Sequence, residues 1–232
     1  MDYSFSSLGD QAIVIDVAIE INEEVQKRIR KISLLLEQQA PEWMVEYIPA
    51  FTTVSVFYNP LQADYQTVES DLRELLMQAP KEIEAAPRTI EIPVCYGGKF
   101  GPDLEFVAKH NGLTAQEVVQ IHSSGTYSVY MIGFAPGFPF VGGMSERIAA
   151  PRRDSPRLSI PERSVGIAGM QTGVYPIETP GGWQLIGRTP LRLFRPEKDV
   201  PSLLRAGDQI IFREITESDY QAWREDKHAE DH

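Results

Sequence analysis

Along the first eighty or so residues, apolar positions switch between two periods, and each switch marks an element. Alternating or mixed apolar runs at Ser4 to Leu8 and Gln11 to Ala18 read as strands. Asn22 can then cap a helix whose Val25, Ile29, Ile32 and Leu36 recur on one face. After Pro41 the alternation returns at Met44 to Ile48 and Thr52 to Tyr58, closed by Asn59-Pro60. Asp64 can cap a second helix, with Tyr65, Val68, Leu72, Leu75 and Leu76 on its apolar stripe and Ala79-Pro80 at its end. Two one-faced helices among strands predict a small α+β unit, both helices lying on one face of a mostly antiparallel sheet. Ala79 to Arg88, with two prolines and mixed charge, is the best linker candidate, so the expected domains are residues 1–86 and 87–232.

The second domain opens on a strand at Thr89 to Val94 and a loop from Tyr96 to Pro102. Two short helices follow. Asp103 is expected to cap the first, which Asn111-Gly112 stops, and Thr114 begins the second as a capping box with Glu117. The pair has the look of a helix-turn-helix. Its second helix, however, shows Gln116, Glu117 and Gln120 and no arginine or lysine, so it has little to hold a phosphate backbone. From Tyr127 onward short strands recur, at Ser128 to Ile132, Ser164 to Ala168, Trp183 to Ile186, Leu191 to Phe194 and Asp208 to Phe212. That spacing predicts a small barrel or sandwich. The polar tail from Glu217 to His232 is expected to fray.

Charge narrows the partners. The chain of 232 residues carries a net charge of −11, which repels nucleic acid and anionic membrane alike. No apolar run approaches the roughly 20 residues of a membrane span. The single cysteine, Cys95, excludes an internal disulfide, and the cytoplasm is the expected location. Histidines at 110, 122, 228 and 232 are scattered, so no zinc site is expected. Neither a phosphate-binding Gly-x-x-x-x-Gly-Lys-Ser/Thr loop nor a Gly-x-Ser-x-Gly elbow occurs, so the chain alone reads as neither an ATPase nor a serine hydrolase.

Candidate chemistry gathers between Gly133 and Pro190, where ten of the seventeen glycines fall. Such a run is either ordinary hairpin turns or a surface shaped for a ligand. Between Ser145 and Arg195 stand eight arginines, no lysine and four acids. Guanidinium forks bind carboxylate and phosphate, although any one arginine on a solvated face needs no such role. Arg152, Arg157 and Arg188 stand out because proline and glycine turns hold their backbones. His122, ending a helix before Ser123-Ser124-Gly125, is equally suited to capping carbonyls or to proton transfer. Tyr130, Gln171, Thr172 and Tyr175 are either strand-edge residues or groups that orient a small polar ligand. Trp183 reads as a core anchor.

The segments IPVCYGGKFGPDL, HNGLTAQEV, YMIGFAPGFPFVGG, PRRDSPR, SVGIAGMQTGVYPIETPGGWQLIGRTPLRLF and AGDQIIF closely resemble, in that order, the family of the B-subunit of the bacterial ATP-dependent 5-oxoprolinase. The same family includes the Kip inhibitor of a sporulation histidine kinase. The likeness runs from Phe5 to Phe212. It departs at Pro161-Glu162-Arg163-Ser164, where the family often has glycine before Ser-Val. The resemblance implies an α+β first domain and a cyclophilin-like β-barrel second domain. It also implies a likeness to half of the carboxyltransferase region of urea carboxylase, the other half being the C-subunit, while the A-subunit performs the ATP-dependent activation. No cofactor is then expected on this chain, ATP being used by the assembled complex. In that picture Arg152, Arg157, Arg188 and Thr172 bind substrate or anion. His122, Tyr130, Gln171 and Tyr175 are the hydrogen-bonding or proton-transfer candidates. Phe134, Phe138 and Phe140 are the expected partner surface, for the C-subunit or, in the alternative regulatory reading, for the helical dimerisation domain of a kinase. Prolyl isomerase activity is not expected, since the Phe-His-Arg stretch of cyclophilins is missing.

Overall fold

In the computed structural model the described residues are 3–78 and 87–223. The chain divides into two compact units, Met1–Ala86 and Pro87–His232. Most of the expected linker, and the expected helix stop at Ala79-Pro80, lie outside the described residues.

The first unit contains β1 (Ser4–Ser7), β2 (Ala12–Asp16), α1 (Glu23–Gln39), β3 (Met44–Pro49), β4 (Thr53–Tyr58) and α2 (Tyr65–Met77). The strands pair antiparallel throughout, in the order β1-β2-β4-β3. Period-two burial in β2 and β4 sends Ile13, Ile15, Val54, Val56 and Tyr58 into the core. There they meet Val25, Ile29, Ile32 and Leu36 of α1 and Val68 and Leu72 of α2. The expected caps form: Asn22 Oδ1 accepts from the Val25 amide at 3.0 Å, and Asp64 Oδ1 from Thr67 at 2.8 Å.

The second unit contains β5 (Thr89–Tyr96), α3 (Leu104–His110), α4 (Ala115–Ser124), β6 (Thr126–Ile132), β7 (Pro139–Gly142), β8 (Arg157–Ile160) and β9 (Ser164–Ala168). It continues through β10 (Gln171–Val174), β11 (Thr179–Gly181), β12 (Gln184–Arg188), β13 (Gln209–Glu214) and α5 (Glu217–Ala222). Seven strands form one sheet in the order β10-β9-β12-β5-β13-β6-β7, and β11-β8 form a small ribbon. The end strands β10 and β7 curl toward one another, which makes the sheet nearly a closed barrel.

Three sequence expectations need correction here. Asp103 occupies the cap position of α3 but makes no side-chain cap bond. Its carboxylate turns inward and accepts from the Leu185 amide at 2.7 Å and from Arg157 at 2.8 Å. Leu191 to Phe194 is not a strand. Pro190 and Pro196 bracket it, and it makes only an isolated bridge from Phe194 to Ser202. The tail does not fray from its start, because Thr216 and Asp219 build a capping box for α5, while Tyr220 packs on Phe100 at 4.6 Å. Beyond Trp223 the tail lies outside the described residues.

Candidate functional site

β10 sorts the candidate polar groups into two sets. Successive side chains on a strand point to opposite faces, so Thr172 and Val174 share one face while Gly173 and the following Tyr175 share the other. Val174 joins the large core with Val165, Ile167 and Ile186. Tyr175 joins a separate cluster with Phe138, Ile160, Ala168, Trp183 and Leu185.

On the inner face stands His122, fully buried. The Tyr96 hydroxyl lies 2.8 Å from its Nδ1, and its Nε2 lies 2.8 Å from Thr172 Oγ1, which reaches the Gly166 carbonyl at 3.1 Å. Every group in that chain is satisfied when Tyr96 donates to Nδ1, Nε2–H donates to Thr172, and Thr172 donates to Gly166, which assigns the Nε2–H tautomer. Phe212 stacks on the ring at 4.5 Å. Burial pushes the imidazole pKa down to about 3, so it is neutral at physiological pH. The expected cationic cap is therefore not what the ring does. Its contacts run sideways to β5 and β10, while its own carbonyl accepts from the Tyr127 hydroxyl at 2.8 Å. Thr172 is 1% exposed and belongs to the same core network.

On the outer face the aromatic rings form a ladder. Phe138 meets Phe134, Phe140, Tyr175 and Trp183 edge to face at 5.4, 5.2, 5.7 and 5.9 Å. Phe138 is its buried centre and Phe140 is half-buried, whereas Phe134 is 69% exposed. Phe134 has φ 66° and sits at the middle of a three-residue turn closed by the Ala135 amide on the Gly133 carbonyl at 2.8 Å. A bulky residue in that left-handed conformation is strained, so the turn holds an aromatic side chain outward at a cost.

The arginines separate by what they already hold. Arg157 is committed to Asp103 at 2.8 Å and to the Trp183 carbonyl at 3.4 Å, and Arg153 reaches Asp103 at 3.3 Å. Arg188 Nε donates to the Glu162 carbonyl at 3.0 Å from the end of β12. Arg152 is exposed and makes no ion pair or side-chain hydrogen bond among the described residues. Tyr130 covers Gly142, where a Cβ would overlap its hydroxyl, and Gln171 is half-buried at the start of β10. The positions Tyr175, Arg152, Arg157 and the three phenylalanines thus share the outer side of the sheet, while His122 and Thr172 face inward. Asp103, Tyr96 and Arg153 escaped the sequence reading. Their roles depend on partners 26 to 82 residues away, whereas the odd spacing of Thr172 and Tyr175 is a sequence signal that would have placed them on opposite faces.

Among the described residues no group of three or more His, Cys, Asp or Glu side chains is placed to hold a metal ion, and no helix is long and apolar enough to cross a membrane. Residues 3–204 match the carboxyltransferase domain, subdomain C and D. The 5-oxoprolinase B-subunit of Bacillus subtilis is 53% identical over 97% of this chain and 98% of its own length. That of Escherichia coli O157:H7 is 44% identical over 88% of this chain and 93% of its own. Among solved structures, a conserved uncharacterized protein from Pyrococcus horikoshii is 48% identical with a TM-score of 0.56, covering 94% of this chain and 100% of that one. The Kluyveromyces lactis urea carboxylase shares the fold at 20% identity and a TM-score of 0.73, with 97% of this chain covering 23% of that chain.

Proposed function

The chain belongs to the carboxyltransferase subdomain C and D family and, within it, to the 5-oxoprolinase B-subunit proteins, and from that membership we propose that it serves as the B-subunit of an ATP-dependent 5-oxoprolinase. The observation that carries this is identity of 53% across 98% of the Bacillus subtilis protein, which leaves no large part of that protein unmatched.

A planar lactam amide is a poor electrophile. Phosphorylating its oxygen makes the ring carbon open to attack by water, and the chain bears no motif for that phosphoryl transfer. In this reading the ring is activated with ATP on the A-subunit, while this chain and the C-subunit orient the activated ring and keep bulk water from it. The product is L-glutamate, and the reaction belongs in the cytoplasm, where ATP is supplied. The chain is not active alone. Phe134, held outward by its strained turn and backed by the buried Phe138, supplies an apolar contact for the C-subunit. His122 acts from the core as a positioning residue that ties α4 to β5 and β10.

The test is conversion of 5-oxo-L-proline to glutamate by the three purified subunits with each omitted in turn. Turnover is expected to require this chain. Full turnover without it overturns the assignment and favours the alternative, inhibition of a sporulation histidine kinase.

A further inference from the structure

Tyr175 is 2% exposed, yet its hydroxyl has no hydrogen-bond partner among the described residues. The tip of the hydroxyl still reaches solvent, so a ligand group can take the place of water there. Glycine lets the chain pass close beside it, since a Cβ on Gly181 would stand 2.6 Å from the Tyr175 hydroxyl.

The loop carrying Arg152 is fastened on both sides of that residue. The Pro151 carbonyl accepts from Gln184 at 2.9 Å, and the Arg153 amide donates to the Gly182 carbonyl at 2.7 Å. Asp103 then clamps Arg153 and Arg157 from below, and Arg157 is paired across the β8-β11 ribbon with Gly181. Asp103 pairs with both of those arginines, offsetting half their charge, and leaves Arg152 as the one of the three without a carboxylate partner. The Gly181-Gly182 turn joins the two residues, since a Cβ on Gly182 would lie 3.9 Å from Arg152 Cβ and one on Gly181 lies against the Tyr175 hydroxyl. Such a rigid presentation lowers the ordering cost of binding.

We infer that Arg152 and the Tyr175 hydroxyl, above the Gly181-Gly182 turn, form a subsite for the carboxylate of a small ring-bearing acid. This deepens the proposed function and rests on it for the identity of the acid. One guanidinium and one neutral O–H donor match a monocarboxylate better than a phosphate dianion, whose three oxygens need more donors. Burial pushes the Tyr175 pKa up to about 12, so the group keeps its proton and can donate it to a carboxylate at physiological pH. Phe138 and Trp183 flank it with apolar edges, which suits a flat ring held against them.

The experiment is ligand-observed NMR titration of the full chain with 5-oxo-L-proline, the neutral lactam 2-pyrrolidinone and inorganic phosphate. Saturable binding of the acid is expected, with Kd at least about tenfold lower than for the neutral lactam, which is about 1.4 kcal/mol. Arg152→Gln should raise that Kd about tenfold or more and Tyr175→Phe by a smaller factor, with unchanged melting temperatures. Arg192→Gln, which removes an exposed arginine paired with Glu197, should leave it unchanged. Absence of saturable binding, equal affinity for the neutral lactam, tighter binding of phosphate, or wild-type affinity in Arg152→Gln overturns the subsite. Should the chain bind the acid while the subunit-omission assay fails, the subsite stands and the oxoprolinase assignment falls. An active complex whose member with this sequence fails the titration removes the subsite alone.

Discussion

At His122, burial decides the charge state, and the charge state ties stability to pH. The folded ring resists protonation down to about pH 3, whereas in the unfolded chain it takes a proton near the ordinary value of 6.5. The unfolded state therefore binds more protons between those values, so the contribution is intact above pH 6.5 and is lost as pH falls through that window. Between pH 7 and pH 5 the expected loss is about 2 kcal/mol by linkage at 1.36 kcal/mol per unit. Urea unfolding at the two values measures it. In His122→Gln, which cannot titrate, the difference should largely vanish even though the variant is less stable throughout. A pH dependence as steep in the variant as in the wild type would show that other groups dominate. The same residue marks a limit of sequence reading. Its place at a helix end suggested a cationic cap, but its partners Tyr96 and Thr172 lie 26 and 50 residues away and are joined to it only by the closing of the barrel. Arg157 carries the same lesson, since nothing near it in sequence reveals that Asp103, 54 residues earlier, takes its charge.

Glycine positions test the argument at the level of elements, because two that look alike in sequence meet different surroundings. Gly112, after α3, has φ 66° with nothing within 4 Å of an added Cβ. Gly101, just before α3, lies so close to β12 that a Cβ would overlap the Ile186 carbonyl. Gly112→Ala should therefore cost about 1 kcal/mol of backbone strain. Gly101→Ala forces backbone apart, along with the neighbouring Asp103 to Leu185 bonds, and should cost several times more, on the order of 3 kcal/mol. Thermal and urea unfolding of the two variants checks the ranking, and equal costs would refute the close packing of that loop on β12. Elements governed by local chemistry were legible in advance: α1, α2 and α4 begin at the expected caps, and β9 spans the expected Ser164 to Ala168. Leu191 to Phe194 misled because its apolar residues do enter the core, with Leu193 fully buried, while the flanking prolines deny it a ladder. The turn at Arg163 is a different case. Where the family often carries glycine, this chain keeps the left-handed conformation at φ 68° with an arginine, whose Nη1 donates to the Pro190 carbonyl at 3.3 Å.

Across the whole molecule, the two units keep separate cores. The cluster built on Ile13, Ile29 and Val56 draws only on the first unit, and those built on Ile92 and Phe212 and on Phe138 and Trp183 draw only on the second. Each is large enough for an independent core by the usual scaling of buried surface with chain length. Fragments 1–86 and 87–232 should therefore each unfold cooperatively in urea, with the steeper denaturant dependence in the longer fragment because it exposes more surface. The histidines assign pH sensitivity to one of them. Residues 1–86 contain no histidine, and His122 lies in the second unit, so lowering pH from 7 to 5 should shift the midpoint of fragment 87–232 and scarcely move that of 1–86. A fragment 87–232 without a cooperative transition would mean that its barrel depends on the first unit. A midpoint in 1–86 that moves as far as that of its neighbour would place the acid sensitivity in carboxylates rather than in the buried imidazole.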